Sequence, residues 1–219
     1  MPIAYADIAH KRQPPLDCSK ESDLRGRSFH NRLIVNYENT DFTGCVLYHC
    51  FPSGFEGAIE IRPARSEEDV TLKGTDLLEA DLRWADLQGV NLEGANLEGA
   101  YLEKADLQVA NLQGANLEGA TLQRANLYEA NLSGANLQGA NLYGAYLEKA
   151  DLQWADLREA YLVGTDLRRA DLQGANLQWA DLRRANLNGA KYNSETNFDD
   201  SNITQDQRDS MIFVEDDED

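Results

Sequence analysis

From Leu72 to Leu187 every fifth residue is Leu, 24 in succession, with mostly polar or small residues between them. Two residues before each Leu stands Ala, except at Val70, Thr75, Val90 and Thr165. The residue immediately before is mostly Asp or Asn, as at Asp81, Asn91 and Asn96, and Gly stands two after the Leu in 12 of the 24 units. A period of five fits neither the 3.6 of an α-helix nor the 2 of a flat strand. On a helix it would spread the Leu set around the whole circumference. The pattern instead predicts a chain that turns a corner every five residues while each Leu faces one axis. Gly two after the Leu fits a type II turn over Leu–X–Gly–Ala, whose third residue needs a positive φ.

Four right-angle corners close a square coil of twenty residues, and the 24 units make six such coils. Stacked at the strand spacing of about 4.8 Å, six coils give a rod of roughly 29 Å. Leu fills the axis and Ala fits where only a small side chain clears the corner. Each buried Leu contributes about 1.5–3 kcal/mol gross, most of it offset by the entropy of ordering the chain.

The unit A(D/N)LXX, as in Ala95-Asn96-Leu97-Glu98-Gly99, resembles that of the pentapeptide repeat proteins. The resemblance covers just over half of the chain without a break. It implies an all-β fold, the right-handed quadrilateral β-helix, and a member of the cyanobacterial type. The ending Ala190-Lys191-Tyr192-Asn193 through Phe198 is similar to the family's C-terminal close.

The boundaries expected are an irregular N-terminal segment over 1–69, the β-helix over 70–190, a terminal coil and cap over 191–205, and an acidic, disordered tail over 206–219. Tyr192 is the last centre in phase, and one extra residue then shifts the register to Phe198 and Ile203. Upstream, Tyr37, Phe42 and Leu47 keep the phase of the array, so 22–50 reads either as imperfect coils or as a small β cap. Residues 3–12 could form a short helix.

Formal charge is −18, which opposes capture of nucleic acid by counterion release and docking on anionic membranes. No apolar run approaches the roughly 20 residues of a spanning helix, and the N-terminus has no signal-peptide pattern. A soluble, cytoplasmic protein is expected. Cys18, Cys45 and Cys50 make an odd number, all ahead of the array, which is not a disulfide framework. Cys45, His49 and Cys50 could offer zinc ligands, but Cys45 and Cys50 fall in the small-residue column. The expectation is therefore small inward side chains and no metal. No nucleophile elbow, P-loop, dinucleotide fingerprint or zincin helix is present. Neither catalysis nor a cofactor is expected.

Residues 20 apart share a face. The face built on 76–79 through 176–179 carries Asp76, Glu79, Glu98, Glu118, Asp156 and Glu159 against Arg158. The next, built on 81–84 through 181–184, carries Arg83, Lys104, Arg124, Arg183 and Arg184 against Asp81, Glu103 and Asp181. It also holds Trp84, Tyr101, Tyr143, Tyr161 and Val163 where small polar residues are the rule. Aromatics and Arg are typical of binding hot spots. Trp84, Tyr101, Lys104, Arg124, Tyr143, Tyr161, Arg183 and Arg184 are thus the candidate face for a protein partner, with local packing of stacked rings as the alternative. Some members of the resembled family mimic DNA and act on DNA gyrase. That alternative is weakened by a repeat array whose net charge is only −7. The oligomeric state is left open, an end-to-end dimer included.

Overall fold

The computed structural model describes residues 72–215 in full, together with the backbone of five short strands nearer the N-terminus. These are β1 Leu16–Asp17, β2 Ser28–His30, β3 Leu33–Val35, β4 Val46–Tyr48 and β5 Phe51–Pro52. They pair in parallel, Leu16 with Ile34, Ser28 with Val46 and Leu33 with Phe51, each partner 18 residues on. Cys18, Cys45, His49 and Cys50, the short helix expected over 3–12 and the last four acids of the tail lie outside the described residues.

In the array the partner lies 20 residues on. Single-residue parallel bridges link Asp76 to Asn96, Asp81 to Tyr101, Asp86 to Asp106 and Asn91 to Asn111, and each ladder repeats along the axis. Four ladders and a step of 20 make a four-sided coil. All 24 Leu are buried, none more than 4% exposed, and the Ala column lines the corners inside them. Thr165 occupies an Ala position fully buried and donates its Oγ1 proton to the Leu142 carbonyl at 3.0 Å.

The five-residue unit follows from an accounting of backbone donors, which cannot be left unpaired in a closed rod. Taking the unit at Ala95–Gly99, the Ala95 N–H closes the preceding turn onto the Leu92 carbonyl and the Asn96 N–H donates to Thr75 of the previous coil. The Leu97 and Gly99 N–H groups donate to Asn116 and Glu118 of the next coil. The fifth donor, the N–H after the Leu, is satisfied by the Asp or Asn side chain two residues earlier, as in Glu98 N–H to Asn96 Oδ1 at 3.3 Å. That is the physical reason for the Asp/Asn column: these side chains bond backbone two residues on.

Every corner is a turn closed by an N–H to the carbonyl of the Leu three residues before, at 2.9–3.2 Å. The third residue of each turn has a positive φ, whether it is one of the twelve Gly or one of twelve residues with a side chain, Val109 (59°) and Trp84 (64°) included. The ladders impose the corner and Gly only makes it cheap. A side chain there costs about 1–2 kcal/mol.

After Tyr192 the ladder offset changes from 20 to 21, with Asn176 bridging to Asn197. Asn193 absorbs the extra residue: its Oδ1 accepts from Gly174 N–H at 2.9 Å, where a backbone carbonyl serves in other coils. Helix α1, Gln205–Asp209, opens on a capping box between Thr204 and Gln207. The Gln207 amide also donates to the Leu182 and Ala185 carbonyls at 2.8 and 3.0 Å, so α1 covers part of the open end. Strand β7, Ile212–Phe213, pairs in parallel with β6, Lys191–Tyr192, and completes the last rung on that side.

Candidate partner-binding face

The ladder Asp81–Tyr101–Thr121–Asn141–Tyr161–Asp181 places all eight candidate residues along one side of the rod. Trp84, Tyr101, Tyr143 and Tyr161 are 54%, 44%, 44% and 37% exposed, high values for large rings. Lys104 Nζ sits 3.8 Å from the Trp84 ring centroid, a cation–π contact between successive coils. Tyr143 and Tyr161 stack with centroids 6.1 Å apart and planes 17° from parallel. Local stacking therefore exists, yet the stacked rings stay well exposed.

The basic residues divide into two kinds. Arg183 donates to both carboxylate oxygens of Asp181, at 2.6 and 2.9 Å, and Arg83 does the same with Asp81. The Arg183 guanidinium, helped by the Asn202 amide, holds the Asp181 carboxyl well below the usual carboxylate range. Arg183 is thus committed inside the molecule. Arg124 and Arg184 are exposed and meet no carboxylate at ion-pair distance among the described residues.

Replacing the Asp/Asn side chain has a visible consequence. At Tyr101, Thr121, Tyr146 and Tyr161 no side-chain acceptor bond to the N–H two residues on is formed, whereas Asn141 keeps its bond to Tyr143 at 3.1 Å. Three of these four positions lie on this one face. Glu103 Oε2 and Thr121 Oγ1, also on it, are buried without a hydrogen-bond partner.

The structure adds residues that the charge map passed over. Tyr146, 54% exposed, lies across the corner from Tyr143 and Tyr161, and that corner is formed by Gly144, over which the Arg124 side chain leans, and by Gly164, which is open. Tyr146 borders a shallow hollow with Tyr128, Gln108, Asn126, Glu148, Asp166 and Arg168. Within it Arg168 bridges Asp166 and Glu148, and beside it Lys149 bonds Tyr128 at 2.6 Å and Glu129 at 2.8 Å. The signal in the sequence was Tyr146 itself, an aromatic in the Asp/Asn column. Trp154 and Trp179 are exposed on other sides of the rod. Among the described residues no group of three His, Cys, Asp or Glu gathers as a metal site, and no helix is long and apolar enough to cross a membrane.

Eight copies of the family described as pentapeptide repeats match residues 68–103, 110–148, 125–160 and 150–189. Among solved structures the chain is similar to a pentapeptide repeat protein from the Arabidopsis thaliana thylakoid lumen, at 30% identity over 55% of this chain and 73% of that one, TM-score 0.34. It is similar to HetL of the cyanobacterium Nostoc sp. PCC 7120, a pentapeptide repeat protein involved in heterocyst differentiation regulation, at 27% identity over 90% and 91%, TM-score 0.34. QnrB1, a plasmid-mediated fluoroquinolone resistance protein, matches at 18% identity over 94% and 92%, TM-score 0.38. The repeat match, not these superpositions, carries the assignment. Comparison with the curated proteins found no match.

Proposed function

Because this chain belongs to the pentapeptide-repeat family and folds as that family's right-handed quadrilateral β-helix, we propose that it acts as a non-catalytic rod presenting the face from Asp81 to Arg184 to a protein partner. The observation that carries this reading is the placement of Tyr101, Thr121 and Tyr161 in the Asp/Asn column. Each forfeits a hydrogen bond to backbone worth about 0.5–1.5 kcal/mol. Two of them return exposed rings, which add little to the fold but are the usual anchors of an interface. Proteins of this family are in general structural or interaction proteins rather than enzymes.

A DNA mimic is the weaker reading. A duplex of about 29 Å carries roughly 17 phosphates. The array nets −7, and the face with Arg124 and Arg184 is positive.

The test is affinity capture from a native lysate with the wild-type chain and a Tyr101→Ser/Tyr143→Ser/Tyr161→Ser variant. Specific capture by wild type and its loss in the variant, with an unchanged circular-dichroism spectrum, is expected. Equal capture by both chains overturns the assignment of the face.

A further inference from the structure

Seven basic residues of the described solenoid, Lys73, Arg83, Lys149, Arg158, Arg168, Arg183 and Lys191, each meet a carboxylate. Of the other basic residues in the array, Lys104, Arg124, Arg169 and Arg184 meet none among the described residues, and all four are turn residues with φ between 57° and 61°. Three of them stand on the same corner of the rod. Read along the axis, that corner is Trp84, Lys104, Arg124, Gly144, Gly164 and Arg184. It carries three cations and no acid on a chain whose total charge is −18. The other three corners differ: one holds Glu79, Glu159 and Trp179, one holds Glu129 beside Lys149 and Arg169, and one is Gly apart from Trp154.

The arrangement is unfavourable for the isolated fold. Lys104 and Arg124 stand in successive coils, about 4.8 Å apart at the backbone, where like charges repel. Each also occupies a left-handed position that Gly fills without strain at half of the corners. Glu103 is adjacent in sequence, yet Lys104 lies over Trp84, and Glu103 Oε2 takes no partner.

Resting on the partner-binding reading above, we infer that this corner is a docking ridge for an acidic, extended segment of the partner protein. The charge complement is local: three unopposed cations select acids, while the chain's overall negative charge repels long polyanions such as nucleic acid. The shape agrees. Between Arg124 and Arg184, three coils or about 14 Å apart, Gly144 and Gly164 add no side chain of their own; the Arg124 stem leans over Gly144, its Cγ 3.8 Å from the Cβ position there, and Gly164 is open. Tyr143 and Tyr161 border this stretch on one side and Tyr146 on the other. An extended peptide advances about 3.3 Å per residue. The ridge therefore suits acids roughly four residues apart with apolar residues between them.

Fluorescence anisotropy with a labelled decaglutamate peptide at low ionic strength tests the ridge, with labelled decalysine and an oligothymidylate as controls. Saturable binding of decaglutamate is expected. It should weaken at least tenfold in Lys104→Glu/Arg124→Glu and in Arg184→Glu, and stay unchanged in Arg169→Glu, which alters a different corner. No saturable binding, equal loss in Arg169→Glu, or tighter binding of the oligothymidylate overturns the inference. A chain that ignores decaglutamate but still captures a lysate protein through Tyr101, Tyr143 and Tyr161 removes the acidic ligand and leaves the partner face standing. Loss of both removes the face itself.

Discussion

The indole of Trp154 lies flat on the backbone of Gly174, one coil further along, so closely that a Cβ at Gly174 would overlap ring atom Cε3. Gly134, on the same corner one coil before Trp154, has nothing within 4 Å of its Cβ position. The two glycines share a positive φ but not an environment.

Gly134→Ala should therefore cost only the left-handed strain, about 1–2 kcal/mol. Gly174→Ala should cost that and roughly 1–3 kcal/mol more from overpacking. Chemical denaturation of both variants measures the difference. Adding Trp154→Ala, which removes the ring but keeps a side chain at that left-handed position, to Gly174→Ala should restore most of the excess; no restoration would show that the ring does not rest there.

Val109 is the one β-branched residue among the thirteen described side chains held at positive φ. It is 57% exposed, so burial does not compensate for its strain. Val109→Gly should stabilise the rod by about 1 kcal/mol, read as a higher denaturation midpoint. A lower midpoint would contradict the corner geometry.

Tyr101→Asn and Tyr161→Asn each restore a side-chain acceptor for the N–H two residues on. The pair should raise the thermal midpoint while reducing partner capture. Stability and binding moving in the same direction would argue that the rings serve the fold.

Acid should weaken the rod through Asp156, Asp166 and Asp181. The Arg two residues after each donates to its carboxylate and holds its pKa below the ordinary value. A depressed folded pKa contributes stability that is complete above the unfolded value of about 3.9 and is lost as pH falls through the folded one. Denaturation midpoints should hold from neutrality to about pH 5 and decline below about pH 4. Asp166→Asn should start lower at neutral pH and decline less.

Gyrase-catalysed supercoiling should proceed unchanged in a molar excess of the protein, because the array lacks the charge density of duplex DNA. Inhibition at substoichiometric levels would revive the mimicry reading.

Much of the candidate face was legible because residues 20 apart are neighbours once the coil is square, so sorting by that step put Tyr101, Tyr143 and Tyr161 together. The commitment of Arg183 to Asp181 was not, since an Asp-Leu-Arg tripeptide reveals a bidentate pair only when both side chains leave the same side of the backbone. The position of Tyr146 just past the Gly144 corner from Tyr143 was missed because face-by-face sorting separates residues that flank one corner.

By itself the sequence determined the square coil, the buried Leu column and the position of every corner, because a strict five-residue period admits one apolar axis and no regular helix or flat strand. Only the tertiary structure decided the rest. Stacking, not glycine, holds Val109 and Trp84 at positive φ, since the neighbouring coils fix both ends of each turn. Stacking also lets Asn193 stand in for a missing carbonyl and leaves Lys104, Arg124 and Arg184 unopposed along one corner. Those outcomes depend on which side chains meet across a coil boundary, and that information is carried by space rather than by order along the chain.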